Sequence, residues 1–341
     1  MKKCLIAISL ASIVSGAAYA QSSVRLSGSM YAGVGTGSPD VGSSTTALAA
    51  PSSFMFSGVE DVGGDNKIIF KMESSIKGST GALGTPNVLF DKQAFLGAQG
   101  PWGTLRFGRV YTPGFTSLAL VADSTATETL VQSYSVAETQ GVRKNNGIIY
   151  NSVGFNPLNY ARSGFYVTAA YYTAETGVSD KSSYGLLAGY GKGPVVVELS
   201  NHHANDGTGA VSADTNNVLL AASYNFGVAR AHFGYAVNKS KKATTGAITK
   251  DNTDLLLGLV IPVGPGQLKA TFVTKNDKMA ANKDARMYGA AYYYPLSKRT
   301  SIVAALGKVD NKNGAGRSLN SSYLGFAGAT TGYTLGMQHS F

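Results

Sequence analysis

Asn217-Val218-Leu219-Leu220-Ala221-Ala222-Ser223-Tyr224-Asn225-Phe226-Gly227-Val228-Ala229-Arg230-Ala231-His232-Phe233-Gly234-Tyr235 decides the fold of this chain. In an extended strand successive side chains face opposite sides of the sheet. Val218, Leu220, Ala222, Tyr224 and Phe226 therefore share one face. Beyond the turn Asn225-Phe226-Gly227 the pattern resumes, with Ala229, Ala231, Phe233 and Tyr235 opposite Arg230 and His232. Two alternating strands joined by a tight turn would suit a soluble β-sandwich as well as a barrel, and one hairpin does not choose between them.

Repetition along the chain does choose. Val24, Leu26, Met30 and Ala32 alternate with Arg25, Ser27, Ser29 and Tyr31. Phe165, Val167, Ala169 and Tyr171 form another row, and Leu268, Ala270 and Phe272 alternate with Gln267, Lys269 and Thr271. Tyr288, Ala290, Tyr292 and Tyr294 continue it. Seven Gly/Pro-rich turns punctuate these rows: 62–65, 99–103, 156–159, 191–194, 225–227, 264–266 and 296–299. Between them lie eight longer polar stretches, 35–51, 77–90, 110–142, 174–181, 203–214, 239–251, 276–284 and 311–331. Fifteen connections imply sixteen strands, with both chain ends on one side. Short turns at one end and long loops at the other is the layout of an outer-membrane β-barrel. At about 10 residues per tilted strand, sixteen strands use roughly half the chain. A barrel of this size leaves an aqueous lumen.

Composition and targeting agree with export to a membrane. Lys2-Lys3, the apolar run Leu5 to Val14 and Ala18-Tyr19-Ala20 read as a signal peptide over residues 1–20, leaving 21–341 as the barrel. Cys4 is the only cysteine, so the exported protein has no disulfide, cysteine nucleophile or cysteine metal site. After the signal there is no run of 18 apolar residues, so no transmembrane helix is expected. Charged residues are only 14%, against 42 Gly and 19 Tyr. A barrel accounts for this through an apolar lipid face and aromatic girdles. Without Lys2 and Lys3 the chain carries 27 basic against 19 acidic residues. That balance suits anionic headgroups or an anion-attracting pore. No basic cluster or RNA-binding motif points to nucleic acid.

Larger motifs carry a resemblance. They are Ser57-Gly58-Val59-Glu60-Asp61-Val62-Gly63-Gly64, Lys92-Gln93-Ala94-Phe95-Leu96-Gly97, Trp102-Gly103-Thr104-Leu105-Arg106-Phe107-Gly108-Arg109 with Tyr111-Thr112-Pro113, Arg143 to Ser152, and the C-terminal Gly336-Met337-Gln338-His339-Ser340-Phe341. Over essentially the whole chain these motifs resemble the trimeric general porins of Gram-negative bacteria, most closely the β-proteobacterial type. The resemblance implies a homotrimer in outer-membrane lipid and lipopolysaccharide, with loop 77–90 latching onto a neighbour. It also implies passage of small hydrophilic solutes and ions. The terminal Phe341, at the end of the row Tyr333, Leu335, Met337 and His339, looks like the signal read by the barrel-assembly machinery.

The resemblance also places a site. Val110 to Val142 is a loop of 33 residues, and so long a structureless loop is uncommon unless functional. In porins the third loop folds into the barrel. Leu118, Leu120, Val121, Leu130 and Val131 would need a wall to pack on. The loop carries Asp123, Glu128 and Glu138 and no Lys or Arg, which predicts acidic charge in the lumen. By strand parity Arg25, Lys71, Lys92, Arg106 and Arg143 face it from the wall, and Arg109 is a structural residue at the loop root. Opposed charges across a narrow bore make a transverse field, and excess basic groups favour anions. Where the family is usually basic this chain has Ser53, Ser57, Ile149 and Gln338, and Lys92 stands for Arg. The expected anion preference is therefore weak to moderate.

Rival functions have less support in the residues. His202 and His203 are adjacent and point to opposite faces, His232 faces the lumen without an evident partner, and His339 is near the terminus. No Ser/His or Asp/His constellation emerges, so no catalytic residue, metal or cofactor is expected. A substrate-specific channel would use aromatic tracks, for which Phe115, Tyr134, Tyr166 and Tyr172 are the candidates. An adhesin would use external loops such as 203–214 and 311–331, which are polar and Gly-rich but without motifs.

Overall fold

The computed structural model describes residues 23–39, 42–126, 128–138, 141–174, 182–206 and 213–341. The signal peptide expected over 1–20 lies outside the described residues, as do most of loop 174–181 and the tip of loop 203–214. Sixteen barrel strands follow in chain order. They are β1 (Ser23–Ser38), β2 (Pro51–Gly63), β3 (Asn66–Lys77), β4 (Gln93–Gly100), β5 (Gly103–Tyr111), β6 (Arg143–Asn151), β7 (Gly164–Tyr172) and β8 (Ser183–Lys192). The ring continues with β9 (Val195–Asp206), β10 (Ala213–Asn225), β11 (Arg230–Lys242), β12 (Ile248–Val263), β13 (Gly266–Asp277), β14 (Ala285–Pro295), β15 (Thr300–Asn311) and β16 (Thr331–Ser340). Each pairs antiparallel with its chain neighbours, and β1 pairs with both β2 and β16, which closes the barrel. Closure removes the sheet edges that an open membrane-spanning sheet would leave unpaired.

The turns follow local chemistry. At the β2–β3 turn Gly64 and Asp65 both have positive φ, 60° and 61°, the geometry whose twist matches a two-residue hairpin. Some connections differ from expectation, among them 35–51, where Thr45–Ala49 pairs back on β1. The stretch 239–251 is mostly strand, because β11 runs to Lys242 and β12 starts at Ile248. The β6–β7 turn is not the tight turn expected at 156–159. It is a twelve-residue hairpin over 152–163, in which Phe155 bridges to Arg162, Asn156 N bonds Ala161 O, and Ser163 N bonds Gly154 O. Asn156 and Asn159 side chains each accept from the backbone two residues on, so this hairpin folds by Asx turns.

The expected faces are observed. Phe165, Val167 and Tyr171 are exposed on the outside of β7, whereas Tyr166, Thr168, Ala170 and Tyr172 are buried inside. On β10 and β11, Leu220, Tyr224, Phe233 and Tyr235 face out while Leu219, Ala221, His232 and Ala236 face in. The core is therefore not between sheets; it lies inside the bore, where inward-folded segments cover the wall. The terminus completes the seam: Phe341 N donates to Gly28 O and Gly28 N to Phe341 O, each at 3.1 Å. The Phe341 ring lies where a side chain at position 28 would stand.

Candidate functional site

The third loop enters the bore as the sequence implies. Thr112 caps a short helix, Pro113–Ser117, its hydroxyl accepting from Phe115 N at 3.2 Å, with Pro at the first helical position. A π-helical turn, Leu118–Ala122, follows. Leu118, Val121, Ala122, Leu130, Val131, Val136 and Ala137 bury against the inner faces of β10 to β15, on Leu219, Ala236, Leu256, Val273, Met287 and Val309 among others. Leu120 departs from expectation and is exposed at 38%.

A track of glycines on that wall receives the loop. At inward positions Gly234 and Gly258, an added Cβ would stand 2.8 Å from Ala122 Cβ and 2.7 Å from Ser124 Cβ. Gly289 and Gly307, directly paired on β14 and β15, both abut Val131. His232 gains the partner its sequence context did not reveal, its Nδ1–H donating to Val121 O at 2.8 Å.

The loop's acids are placed differently from expectation. Asp123 is buried and braces the loop from within, accepting from Thr125 N at 2.8 Å, Thr125 Oγ1 at 2.7 Å and Ser133 N at 2.7 Å. Glu138 holds three cations, Lys275 at 2.5 Å, Arg317 at 2.6 Å and Lys250 at 2.7 Å. Burial alone would raise its pKa, but hydrogen bonds and charge from Lys250 and Lys275 bring it down to about 2. Glu138 N also donates to Asp254 Oδ2 at 2.8 Å. Only Glu128 is an exposed acid of this loop. Local sequence could not separate these roles, because the clamping cations come from β12, β13 and the last long loop.

That last loop, 312–330, also folds inward, contrary to its reading as external surface. Leu319, Tyr323 and Leu324 are buried in the loop-3 cluster. Asn320 N donates to Leu130 O at 3.0 Å and Asn320 Nδ2 to Gln132 Oε1 at 2.8 Å.

The five expected wall cations divide into two groups. Arg25 is exposed, and Lys92 and Arg143 are partly exposed. Lys92 pairs with Glu73 at 3.1 Å, and the Arg143 guanidinium lies 5.0 Å from the Tyr111 ring centre. Lys71 and Arg106 face inward but are each only 4% exposed. Lys71 lies 3.5 Å from Glu73, and Arg106 donates to Asn151 Oδ1 at 3.0 Å over the Phe95 ring. Glu73 thus joins Lys71 and Lys92. Arg109 is structural as expected, donating to Asp91 O at 2.7 Å and to Asn145.

Two of the four residues that stand where the family is usually basic have defined partners. Ile149 is buried in an inner-wall cluster with Ile69, Phe95, Val110 and Tyr172, and Gln338 donates to Ser29 Oγ at 3.2 Å. Sequence reading missed Lys269, an inward cation 4.2 Å from the Tyr293 ring centre; its parity opposite Leu268 and Ala270 was the available signal.

Of the four candidate track aromatics only Tyr134, edge-on to Phe115 at 5.7 Å between ring centres, is partly exposed. Phe115, Tyr166 and Tyr172 are buried, at 7%, 2% and 2% exposure.

A closed barrel with an apolar outside, a charged inside and loops narrowing its bore is a membrane channel. The Gram-negative porin family matches residues 6–314, and the chain belongs to that family. It is a passive channel of the Gram-negative outer membrane. It is 30% identical to outer membrane porin protein 32 of Delftia acidovorans, over the full length of both chains. It is 25% identical to an outer membrane porin protein of Bordetella pertussis, covering 89% of this chain and 93% of that one. The solved anion-selective porin from Comamonas acidovorans superposes with a TM-score of 0.82 at 26% identity, over 94% of this chain and all of that one.

Proposed function

We propose that this porin is a trimeric diffusion channel for small hydrophilic solutes and ions, with a weak to moderate preference for anions. The observation that carries the anion preference is the imbalance of accessible charge. Arg25 and Arg143 reach the bore and Lys92 does so while paired with Glu73, whereas Asp123 and Glu138 are occupied internally and Glu128 alone is an exposed acid of loop 3. Its likeness to a porin named as anion-selective supports this reading. Burial of Lys71 and Arg106, with Ile149 and Gln338 in place of family cations, keeps the preference modest.

Trimer contact through the chain-end strands and loop 77–90 is supported by exposed Val88 and Leu89 on a loop pinned at Asp91. Residues 1–20 would be removed on export, 21–341 would form the barrel in lipid and lipopolysaccharide, and Phe341 would engage the assembly machinery. No catalytic step is assigned to it.

The test is the zero-current potential of the purified protein in a planar bilayer under a KCl gradient. Insertion in steps of three conductances with a chloride-directed potential is expected. A potassium-directed value would overturn the anion assignment, and insertion in single steps would overturn the trimer.

A further inference from the structure

The β6–β7 hairpin, 152–163, stands apart from the other short turns because it folds back into the bore. Arg162 packs on the inner face of Gly191 of β8, and its Nε donates to the fully buried Glu198 of β9 at 2.6 Å. Tyr166 Oη donates to the same carboxylate oxygen at 2.7 Å. Two residues before Arg162, next to the hairpin tip, Tyr160 Oη donates to Gln93 Oε1 of β4 at 3.2 Å. The Lys71 ammonium of β3 lies 5.5 Å from the Tyr160 ring centre. The hairpin therefore covers the inner wall from β9 round to β3, and Arg106 and Lys71 are beneath it. Its Tyr160 ring also meets Tyr111 at the root of loop 3, 6.5 Å between centres.

We propose that this hairpin is a second constriction, entered from the short-turn end and built on the wall from β9 round to β3. Tyr160 and Arg162 are its positioning residues. A buried ion pair such as Arg162–Glu198 is costly to desolvate, so its best-supported use is to fix one geometry. Here it fixes the hairpin across the bore. In that position the hairpin narrows the passage and screens two wall cations from permeating ions. Selectivity is thus set partly by which cations are covered. The inference rests on the channel function and deepens the anion reading without depending on its sign.

The experiment replaces Phe155–Arg162 by Asn-Gly, closing the turn where Ser163 N already bonds Gly154 O, together with Glu198→Gln to avoid stranding a charge. Single-channel conductance above wild type, with a zero-current potential moved toward chloride, is expected. Wild-type conductance in that variant would overturn the proposal. An unmoved potential would overturn the screening of Lys71 and Arg106.

Asn159→Cys keeps the hairpin intact and covers the case in which the shortened barrel does not assemble. Asn159 is exposed at the hairpin tip. Cationic and anionic thiol reagents added from the short-turn side should shift the potential in opposite directions. No current change with either would place the hairpin outside the path and overturn the proposal. The wild-type potential, measured separately, decides the anion reading alone.

Discussion

Glu138 shows how one side chain can serve the bore without acting on the solute. Its carboxylate gathers Lys250, Lys275 and Arg317, tying loop 3 to the wall and to the last loop. Hydrogen bonds to charged groups contribute about 1.5–3 kcal/mol each, so Glu138→Gln should loosen the inner end of loop 3 by about 2 kcal/mol. Open-channel current noise should rise, and the zero-current potential should move toward chloride as three cations lose their counter-charge. Unchanged noise and potential would show that the clamp is dispensable.

The pH dependence follows from the same residue. A carboxyl held at about 2, below an ordinary 4.5, contributes stability that is complete above about 4.5. That contribution fades as the pH falls from about 4.5 through about 2. Channel noise measured on a descending pH series should rise across that window, and in Glu138→Gln it should be flat there.

At the scale of elements, the wall and the loop are matched by the absence of side chains. Gly289 and Gly307 make a seat for Val131, and Gly234 and Gly258 make seats for Ala122 and Ser124. Overpacking a filled interior costs about 1–3 kcal/mol. Gly307→Val should therefore lift loop 3 from the wall and change single-channel conductance, while the folded barrel retains its resistance to detergent at room temperature. Wild-type conductance would mean that the seat is not required.

Much of this level was legible beforehand, because strands with a period of two display their faces in sequence. Val218, Leu220 and Tyr224 declared the outside of β10, and Leu118 and Val131 announced a loop that needed a wall. The rest was hidden for a physical reason. Nothing local in Asn156-Pro157-Leu158-Asn159 distinguishes a tight turn from the centre of an in-folded hairpin. That difference depends on Glu198, far along the chain, lying opposite Arg162. Likewise Asp123 and Glu128 look equivalent in sequence, and only the packed loop buries one and exposes the other.

For the whole molecule, the closing seam joins the first strand to the last. Gly28 and Phe341 exchange backbone hydrogen bonds, and the absence of a side chain at 28 makes room for the terminal ring. Deleting Phe341 should lower the yield of folded barrel several-fold, as read by the heat-dependent mobility shift of refolded protein. Gly28→Leu should do the same by occupying the ring's space. Yields equal to wild type in both would remove the seam from the list of folding determinants.

The ledges inside this barrel are unlike at its two mouths. Loop 3 and the last loop descend from the long-loop end onto β8 to β15, while the 152–163 hairpin rises from the other end against β3 to β9. Arg25 lies near the start of β1 at the short-turn end, whereas the Glu138 clamp neutralises charge at the other. Fixed charge and width therefore vary along the axis without symmetry between the mouths. A conduit of that kind fills with counter-ions under one polarity and depletes under the other. Such a conduit should rectify, passing unequal current at equal and opposite voltages in symmetric salt.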